Sequence, residues 1–153
     1  MAKADPIVIL MADDDADDRE MTREAFESSH LANDLRFVVD GVDLMNYLNR
    51  RGIYSDPAKS PRPGIILLDL NMPKKDGREA LQEIKADPKL TDIPVIVLTT
   101  SKEEEDINRS YTLHANSYIT KPVTFGALVN IVASLGKYWL EIVELPHKRR
   151  SIA

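Results

Sequence analysis

Apolar and polar residues alternate along this chain in two distinct patterns. Short runs of apolar, often β-branched residues occur five times, and each is followed by a stretch whose apolar residues are three or four positions apart. The short runs predict buried strands, and the spaced stretches predict amphipathic helices. Alternating strands and helices are typical of a parallel sheet with helices on both faces. We therefore expect an α/β fold with a doubly wound, five-stranded parallel sheet.

The same patterns predict where each element begins and ends. The predicted strands are Ile7–Ala12, Leu35–Val39, Gly64–Asp69, Val95–Thr99 and Ser117–Thr120. The predicted helices are Ala16–Ser29, Gly41–Arg50, Gly77–Ala86, Glu103–His114 and Thr124–Leu140. The third and fourth strands are apolar at consecutive positions, which predicts central strands with both faces covered.

Two segments depart from this alternation. Residues 51–63 contain three prolines and predict a long loop, which is either a recognition loop or a simple insertion. Residues 138–146 are largely apolar and contain the only tryptophan, Trp139. Such a segment either folds back onto its own domain or covers a partner, and we favour a partner.

Composition narrows the class of protein. A length of 153 residues fits a single domain with a sizeable core. No apolar run approaches the roughly 20 residues of a membrane-spanning helix, and the N-terminus has no long apolar core of a signal peptide. The lack of cysteine excludes disulfides and thiolate catalysis and fits a cytoplasmic protein. The net charge of −5 argues against non-specific binding of nucleic acid.

Charged residues follow three of the predicted strands. Asp13 and Asp14 come after the first strand, Asp69 ends the third, and Lys121 follows the fifth. In a doubly wound sheet these strand ends meet at one edge, where ligands bind. Crowded carboxylates repel one another unless a cation lies among them, and Mg²⁺ prefers such oxygen ligands; the carbonyl of Asn71 could complete the set. Taken alone, the acidic residues between 13 and 18 could instead cap the first helix and supply the negative charge of its first turn.

This arrangement predicts phosphoryl chemistry at Asp69. A carboxylate that attacks phosphorus needs a cation to reduce charge repulsion, and Lys121 could pair with a phosphoryl oxygen. Thr99 could offer its hydroxyl to another phosphoryl oxygen, although a strand-end threonine often makes only a local backbone bond. Tyr118 lies in the fifth predicted strand, near the same edge of the sheet. Taken alone, it is more simply explained as an ordinary half-buried aromatic residue.

Four motifs resemble the receiver domain of two-component response regulators. They are Ala12-Asp13-Asp14, the stretch 68–77, Leu98-Thr99-Thr100-Ser101 and the stretch 118–122. The resemblance covers about residues 5–136 and implies a flavodoxin-like (βα)5 receiver fold, with residues 137–153 as a C-terminal extension. It implies that the chain is a phosphoacceptor with slow self-dephosphorylation, not an enzyme acting on a substrate.

The resemblance also assigns a role to each matching residue. Asp13 and Asp14 would be the Mg²⁺-binding acidic pair, Asp69 the phosphoacceptor, and the carbonyl of Asn71 a further metal ligand. The remaining matches are Thr99 and Tyr118 as the switch pair and Lys121 as the phosphate-binding lysine. Thr100 departs from the smaller residue that most receivers have there, which puts the rate of phosphorylation in doubt.

The chain is most similar to the single-domain regulators that partner phytochrome-type histidine kinases. The resemblance implies a bacteriophytochrome or a cyanobacterial-type phytochrome kinase as phosphodonor. From the net charge and the lack of long apolar runs, we expect no nucleic-acid or membrane partner. It also implies that the kinase docks against the first helix, near Met21 and Ala25, although these residues could instead face the core. A homodimer would form through the C-terminal extension, with its apolar residues Trp139, Ile142, Val143 and Leu145.

Other functions fit the sequence less well. A haloacid-dehalogenase-type phosphatase would need a second aspartate two residues after its nucleophile, where this chain has Asn71. A dinucleotide-binding domain would need a glycine-rich loop after the first strand. A phosphorylation-independent receiver-fold protein that only dimerises is the stronger alternative, but the presence of Asp69 and Lys121 argues against it.

Overall fold

Five parallel strands form the centre of the molecule. The computed structural model describes residues 7–28, 33–70, 72, 74–99 and 117–120. Its strands are β1 Ile7–Ala12, β2 Asn33–Val38, β3 Ile65–Asp69, β4 Val95–Thr99 and β5 Ser117–Thr120. Its helices are α1 Ala16–Glu27, α2 Gly41–Leu48 and α3 Gly77–Ala86, with a short 3-10 turn at Gly52–Tyr54. The predicted helices Glu103–His114 and Thr124–Leu140 lie outside the described residues.

The strand order is β2-β1-β3-β4-β5. The chain moves outward from β1 to β2 and then returns to the other side of β1, so the direction of winding reverses between β1 and β3. Ala12 lies beside Val38 on one side and Leu68 on the other. The doubly wound, five-stranded parallel sheet is therefore confirmed, and its switch point lies where the first and third strands end.

Each face of the sheet carries its own apolar cluster. Successive strand residues point to opposite faces, so Leu10 and Ala12 belong to one cluster while Ile9 and Met11 belong to the other. Helices α2 and α3 cover the first cluster, and α1 covers the second. All five residues of β3 are buried, as predicted for a central strand with both faces covered.

The residues suggested as a docking surface on α1 pack on the sheet. Ala25 is buried in the second cluster, and Met21 is partly buried against it. The core-facing interpretation is therefore correct for both, because their apolar surface is already used within the domain.

Two predicted helices extended too far, and two predicted strands had wrong bounds: β2 is Asn33–Val38, not Leu35–Val39, and β3 begins at Ile65, not at Gly64. Helix α1 ends at Glu27, where Ser28 caps it, and α2 ends at Leu48, with Asn49 as its C-cap. Strand β2 begins at Asn33, which is paired in register with Ile7. The apolar pattern missed this start because β2 is an edge strand, where polar side chains are tolerated.

The predicted loop 51–63 is tied to helix α2 by hydrogen bonds. The Tyr54 hydroxyl donates to Asp43 at 2.7 Å, and the Tyr47 hydroxyl donates to the carbonyl of Pro61 at 2.8 Å. The hydroxyl of Ser60, a buried residue, donates to the carbonyl of Tyr54 at 2.6 Å. This segment is therefore a folded loop with its own polar contacts.

No helix among the described residues is long and apolar enough to cross a membrane.

Candidate functional site: an acidic pocket at the carboxyl edge

Three carboxylates meet where β1 and β3 end. One oxygen from each of Asp13, Asp14 and Asp69 lies within 4.8 Å of the other two. Asp13 is 0% exposed and Asp69 is 3% exposed, whereas Asp14 is exposed to solvent. Two of the three carboxylates are therefore buried, and the third lies where the pocket opens to solvent. A site that exchanges a ligand with solvent needs such an opening.

Hydrogen bonds fix Asp13 through both its backbone and its side chain. Its N–H donates to the carbonyl of Val38 at 3.1 Å, which extends the pairing of β1 with β2. Its carbonyl accepts from a guanidinium N–H of Arg19 at 2.8 Å, and its carboxylate accepts from the N–H of Asp15 at 2.9 Å. These contacts hold the Asp13 carboxylate at the end of the strand and turn the chain into α1.

The acidic run after β1 divides into two parts with different roles. Asp15 is the N-cap of α1, and its side chain accepts from the N–H groups of Asp17 and Asp18. Asp17 and Asp18 lie in the first turn, where negative charge suits the helix dipole. Helix capping thus accounts for these three residues, whereas Asp13 and Asp14 contribute to the pocket.

Asp69 is held in place by the elements on either side of it. It is the last residue of β3, and the next N–H, that of Leu70, donates to the carbonyl of Leu98 on β4 at 3.2 Å. Gly77 begins α3 so close to this strand end that a Cβ there would lie 2.4 Å from the Asp69 carbonyl oxygen. This close approach requires glycine, because any other residue would place its Cβ against the backbone of the phosphoacceptor strand.

The chemistry of the pocket fits a divalent cation. Two buried carboxylates and a third exposed one form an all-oxygen set, the type that hard cations such as Mg²⁺ and Mn²⁺ prefer. Burying like charges side by side is unfavourable unless a cation offsets their repulsion. The exposed side leaves room for water or a phosphoryl oxygen to complete the coordination.

Of the other predicted site residues, the structure describes the backbone positions of Thr99 and Tyr118. Thr99 ends β4 and is paired in register with Thr120 of β5, so both strands end at the carboxyl edge beside Asp69. Tyr118 lies in β5, opposite Val97. Asn71 and Lys121 lie outside the described residues, as do the four predicted dimerisation residues Trp139, Ile142, Val143 and Leu145.

Two residues near the site were not singled out from the sequence. Arg19 fixes the carbonyl of Asp13, but an arginine six residues further on in a helix gives no linear signal of that contact. Gly41 begins α2, and a Cβ there would lie 2.0 Å from the carbonyl oxygen of Lys75. The loop after Asp69 therefore packs directly on the first residue of α2, a contact between segments far apart in sequence.

Fold and pocket together define an α/β domain of the flavodoxin-like class with carboxylates placed for a divalent cation at its switch point. The chain belongs to the response regulator receiver domain family, whose model matches residues 9–133. As a receiver domain it is a signalling protein that accepts a phosphoryl group, which confirms the main functional prediction.

Relatives and solved structures agree with this assignment. Response regulator Rcp1 of Synechocystis is 45% identical over 141 residues, which are 92% of this chain and 94% of that protein. The Mn²⁺-bound form of Rcp1 has a TM-score of 0.77 and 45% identity, with 90% of this chain and 97% of that chain covered. The phosphorylated cyanobacterial phytochrome response regulator RcpA has the same score and identity, with 89% and 95% covered. The predicted similarity to this group of regulators is thus confirmed.

Proposed function

We propose that Asp69 accepts a phosphoryl group from the phosphohistidine of a sensor histidine kinase, with Mg²⁺ held by Asp13, Asp14, Asp69 and the carbonyl of Asn71. The observation that carries the proposal is the convergence of three carboxylate oxygens within 4.8 Å at the switch point. The cation would supply charge neutralisation for the incoming phosphoryl group.

The residues of the chain would position the reaction. A carboxylate oxygen of Asp69 forms the new bond to phosphorus as the bond from phosphorus to the histidine nitrogen breaks, and the histidine leaves without the phosphoryl group. Asp69 is suited to this role because β3, Leu70 and Gly77 fix its backbone, so little conformational freedom is lost when the donor docks. Lys121 would pair with a phosphoryl oxygen as a point charge.

Phosphorylation would then change the surface beyond β4 and β5. Thr99 would bond the new phosphoryl group through its hydroxyl, and Tyr118 would rotate into the space that Thr99 leaves. The register supports this proposal, because Thr99 and Asp69 both stand at the ends of neighbouring strands. The phosphoryl group shifts the population only by as much as it prefers one of the two states.

We further propose that a phytochrome-type kinase is the phosphodonor and that the chain forms a homodimer. The donor is suggested by the similarity to solved regulators whose names refer to phytochromes. The receiver would span residues 5–136, and the extension 137–153 would form the dimer through Trp139, Ile142, Val143 and Leu145. The chain would release phosphate slowly by itself and act on no other substrate.

Intact mass spectrometry tests the central proposal. After incubation with Mg²⁺ and acetyl phosphate, the wild type should gain one phosphoryl group and Asp69→Asn none. Asp17→Asn is a matched control, because this exposed carboxylate lies next to the pocket in sequence but belongs to the first turn of α1. No gain in a folded wild type with either acetyl phosphate or a phytochrome kinase would favour a phosphorylation-independent interaction protein.

Light scattering tests the proposed dimer separately. Truncation after Gly136 should halve the mass of the particle and leave the far-UV circular dichroism of the receiver intact. An unchanged mass would show that the extension does not hold two copies together.

A further inference from the structure

A cavity of about 260 Å³ lies at the amino edge of the sheet, opposite the acidic pocket. It is open to solvent on one side, and three separate segments line it: the end of α2, the last residues of the loop 51–63, and the connection from α3 to β4. Its lining includes Pro63, two residues before β3 begins, and Ile93, two residues before β4 begins. The cavity is therefore distinct from the carboxyl edge at which phosphorylation takes place.

The cavity combines an apolar interior with basic side chains. Leu90, Ile93 and Pro63 contribute buried apolar surface, and the buried ring of Tyr47 adds an aromatic wall. Arg50, Arg62 and Lys89 also line it, and all three are exposed residues. No carboxylate is among the lining residues that the structure describes.

The three basic residues give the lining a positive charge, although the carboxylate of Asp87 lies close by and accepts from the backbone N–H of Lys89 at 2.8 Å. None of them takes part in an ion pair with any residue that the structure describes, whereas Arg23, Arg36 and other basic residues do. The Arg50 Nε donates to the Ser60 carbonyl at 3.4 Å, a long bond, and one Nη of Arg62 donates to the Lys89 carbonyl. Each guanidinium therefore keeps further N–H donors, and a cleft of one charge sign attracts ions of the opposite sign.

The backbone of Arg50 points to a role for its side chain. Helix α2 ends in a Schellman motif, in which the N–H of Arg50 bonds the carbonyl of Tyr47 and the N–H of Arg51 bonds that of Asn46. Arg50 is the left-handed residue of that motif, with a φ of 54°. Glycine usually occupies this position because it has no Cβ to strain, and residues held in such conformations cluster at functional sites.

We propose that this cavity binds a small organic anion, with its phosphate or carboxylate group at Arg50, Arg62 and Lys89 and its apolar body against Tyr47 and Leu90. Guanidinium groups suit both kinds of anionic group because they can donate two parallel hydrogen bonds. The volume of about 260 Å³ is just below the roughly 300 Å³ at which ordinary ligand pockets begin, so the occupant is a small molecule and not a segment of a macromolecule.

An NMR titration with phenyl phosphate tests the proposal directly. In Mg²⁺-free buffer, increasing phenyl phosphate should shift the backbone amides of Arg50, Lys89 and Leu90 saturably, with little change at Asp13 and Asp69. Phenol lacks the charge and inorganic phosphate lacks the apolar body, so each should bind at least about tenfold more weakly. A lack of saturable shifts up to about 10 mM phenyl phosphate, or shifts confined to the acidic pocket, would overturn the proposal. Titration with benzoate distinguishes a carboxylate site from a phosphate site.

Substitution of Arg50 separates binding from folding. Arg50→Gly removes the cation but supplies the residue that the left-handed position favours, so binding should weaken about tenfold while the melting temperature stays the same or rises. Arg50→Lys should retain part of the affinity. Arg23→Gln is the matched control, since this exposed arginine lies elsewhere and is paired with Glu20, and it should bind as the wild type does. Wild-type affinity in Arg50→Gly would contradict the proposed site.

Discussion

Replacing Gly77 by alanine should both destabilise the protein and disturb the phosphoacceptor. The new Cβ would lie 2.4 Å from the Asp69 carbonyl oxygen and 2.6 Å from the Leu70 Cα. To reach a contact of 3.0 Å, the carbonyl oxygen must move by roughly 0.6 Å, the difference between 3.0 and 2.4 Å, and both clashing atoms are backbone. Overpacking of this kind costs about 2 kcal/mol, which lowers the melting temperature of a domain of this size by about 4–8 °C.

Two assays measure the two effects. Urea denaturation gives the loss of unfolding free energy, and intact mass after treatment with acetyl phosphate and Mg²⁺ gives the rate of phosphorylation, which should fall because Asp69 moves with its carbonyl. Gly52→Ala is the matched control: its φ is +58°, which strains alanine, but no atom lies within 4 Å of the added Cβ. It should cost about 1 kcal/mol and leave the phosphorylation rate unchanged. A Gly77→Ala protein with wild-type stability and rate would refute the reasoning.

Three further predictions concern charge and hydrogen bonding. Without metal, Asp13→Asn should raise the free energy of unfolding by about 1 kcal/mol, because it removes charge repulsion in the pocket. It should also reduce the rise in melting temperature that MgCl₂ produces. An equal rise in the wild type and in Asp13→Asn would contradict the proposed metal site. Burial and the hydrogen bond to Asp43 raise the pKa of Tyr54 above its ordinary value of 10, so the tyrosine's contribution is complete below pH 10 and is lost as the pH rises further. Tyr54→Phe should therefore cost about 1 kcal/mol at pH 8 in urea melts, with a difference from the wild type that narrows above pH 10. Asp76→Ala removes the N-cap of α3 and should cost about 1 kcal/mol in the same melts, whereas Asp76→Ser should restore most of it.

The sheet and the acidic pocket were predictable because both follow from local patterns. Fully apolar runs such as 65–68 predict central strands, and parallel strands bring their carboxyl ends to one edge. That rule alone placed Asp13 beside Asp69, although 55 residues lie between them in sequence. The preference of hard divalent cations for carboxylate oxygens then predicted the kind of ligand.

Features that depend on tertiary contacts could not be predicted in the same way. The start of β2 is polar, and its pairing with β1 is the tertiary contact that makes a strand of it. Helix α2 ends two residues before the predicted Arg50 because the Schellman motif turns the chain there, although arginine is a good helix former. The basic cavity draws its residues from three segments that share no linear pattern.

The folded loop 51–63 offers a practical site for a spectroscopic label. Ile53 is 84% exposed, and the chain contains no cysteine, so Ile53→Cys would introduce a single thiol. Its neighbour Tyr54 is bonded to Asp43 on α2, and α2 begins at Gly41, against the loop that follows the phosphoacceptor. A fluorophore at this position would therefore report on the environment of α2 from a point outside both the acidic pocket and the apolar core.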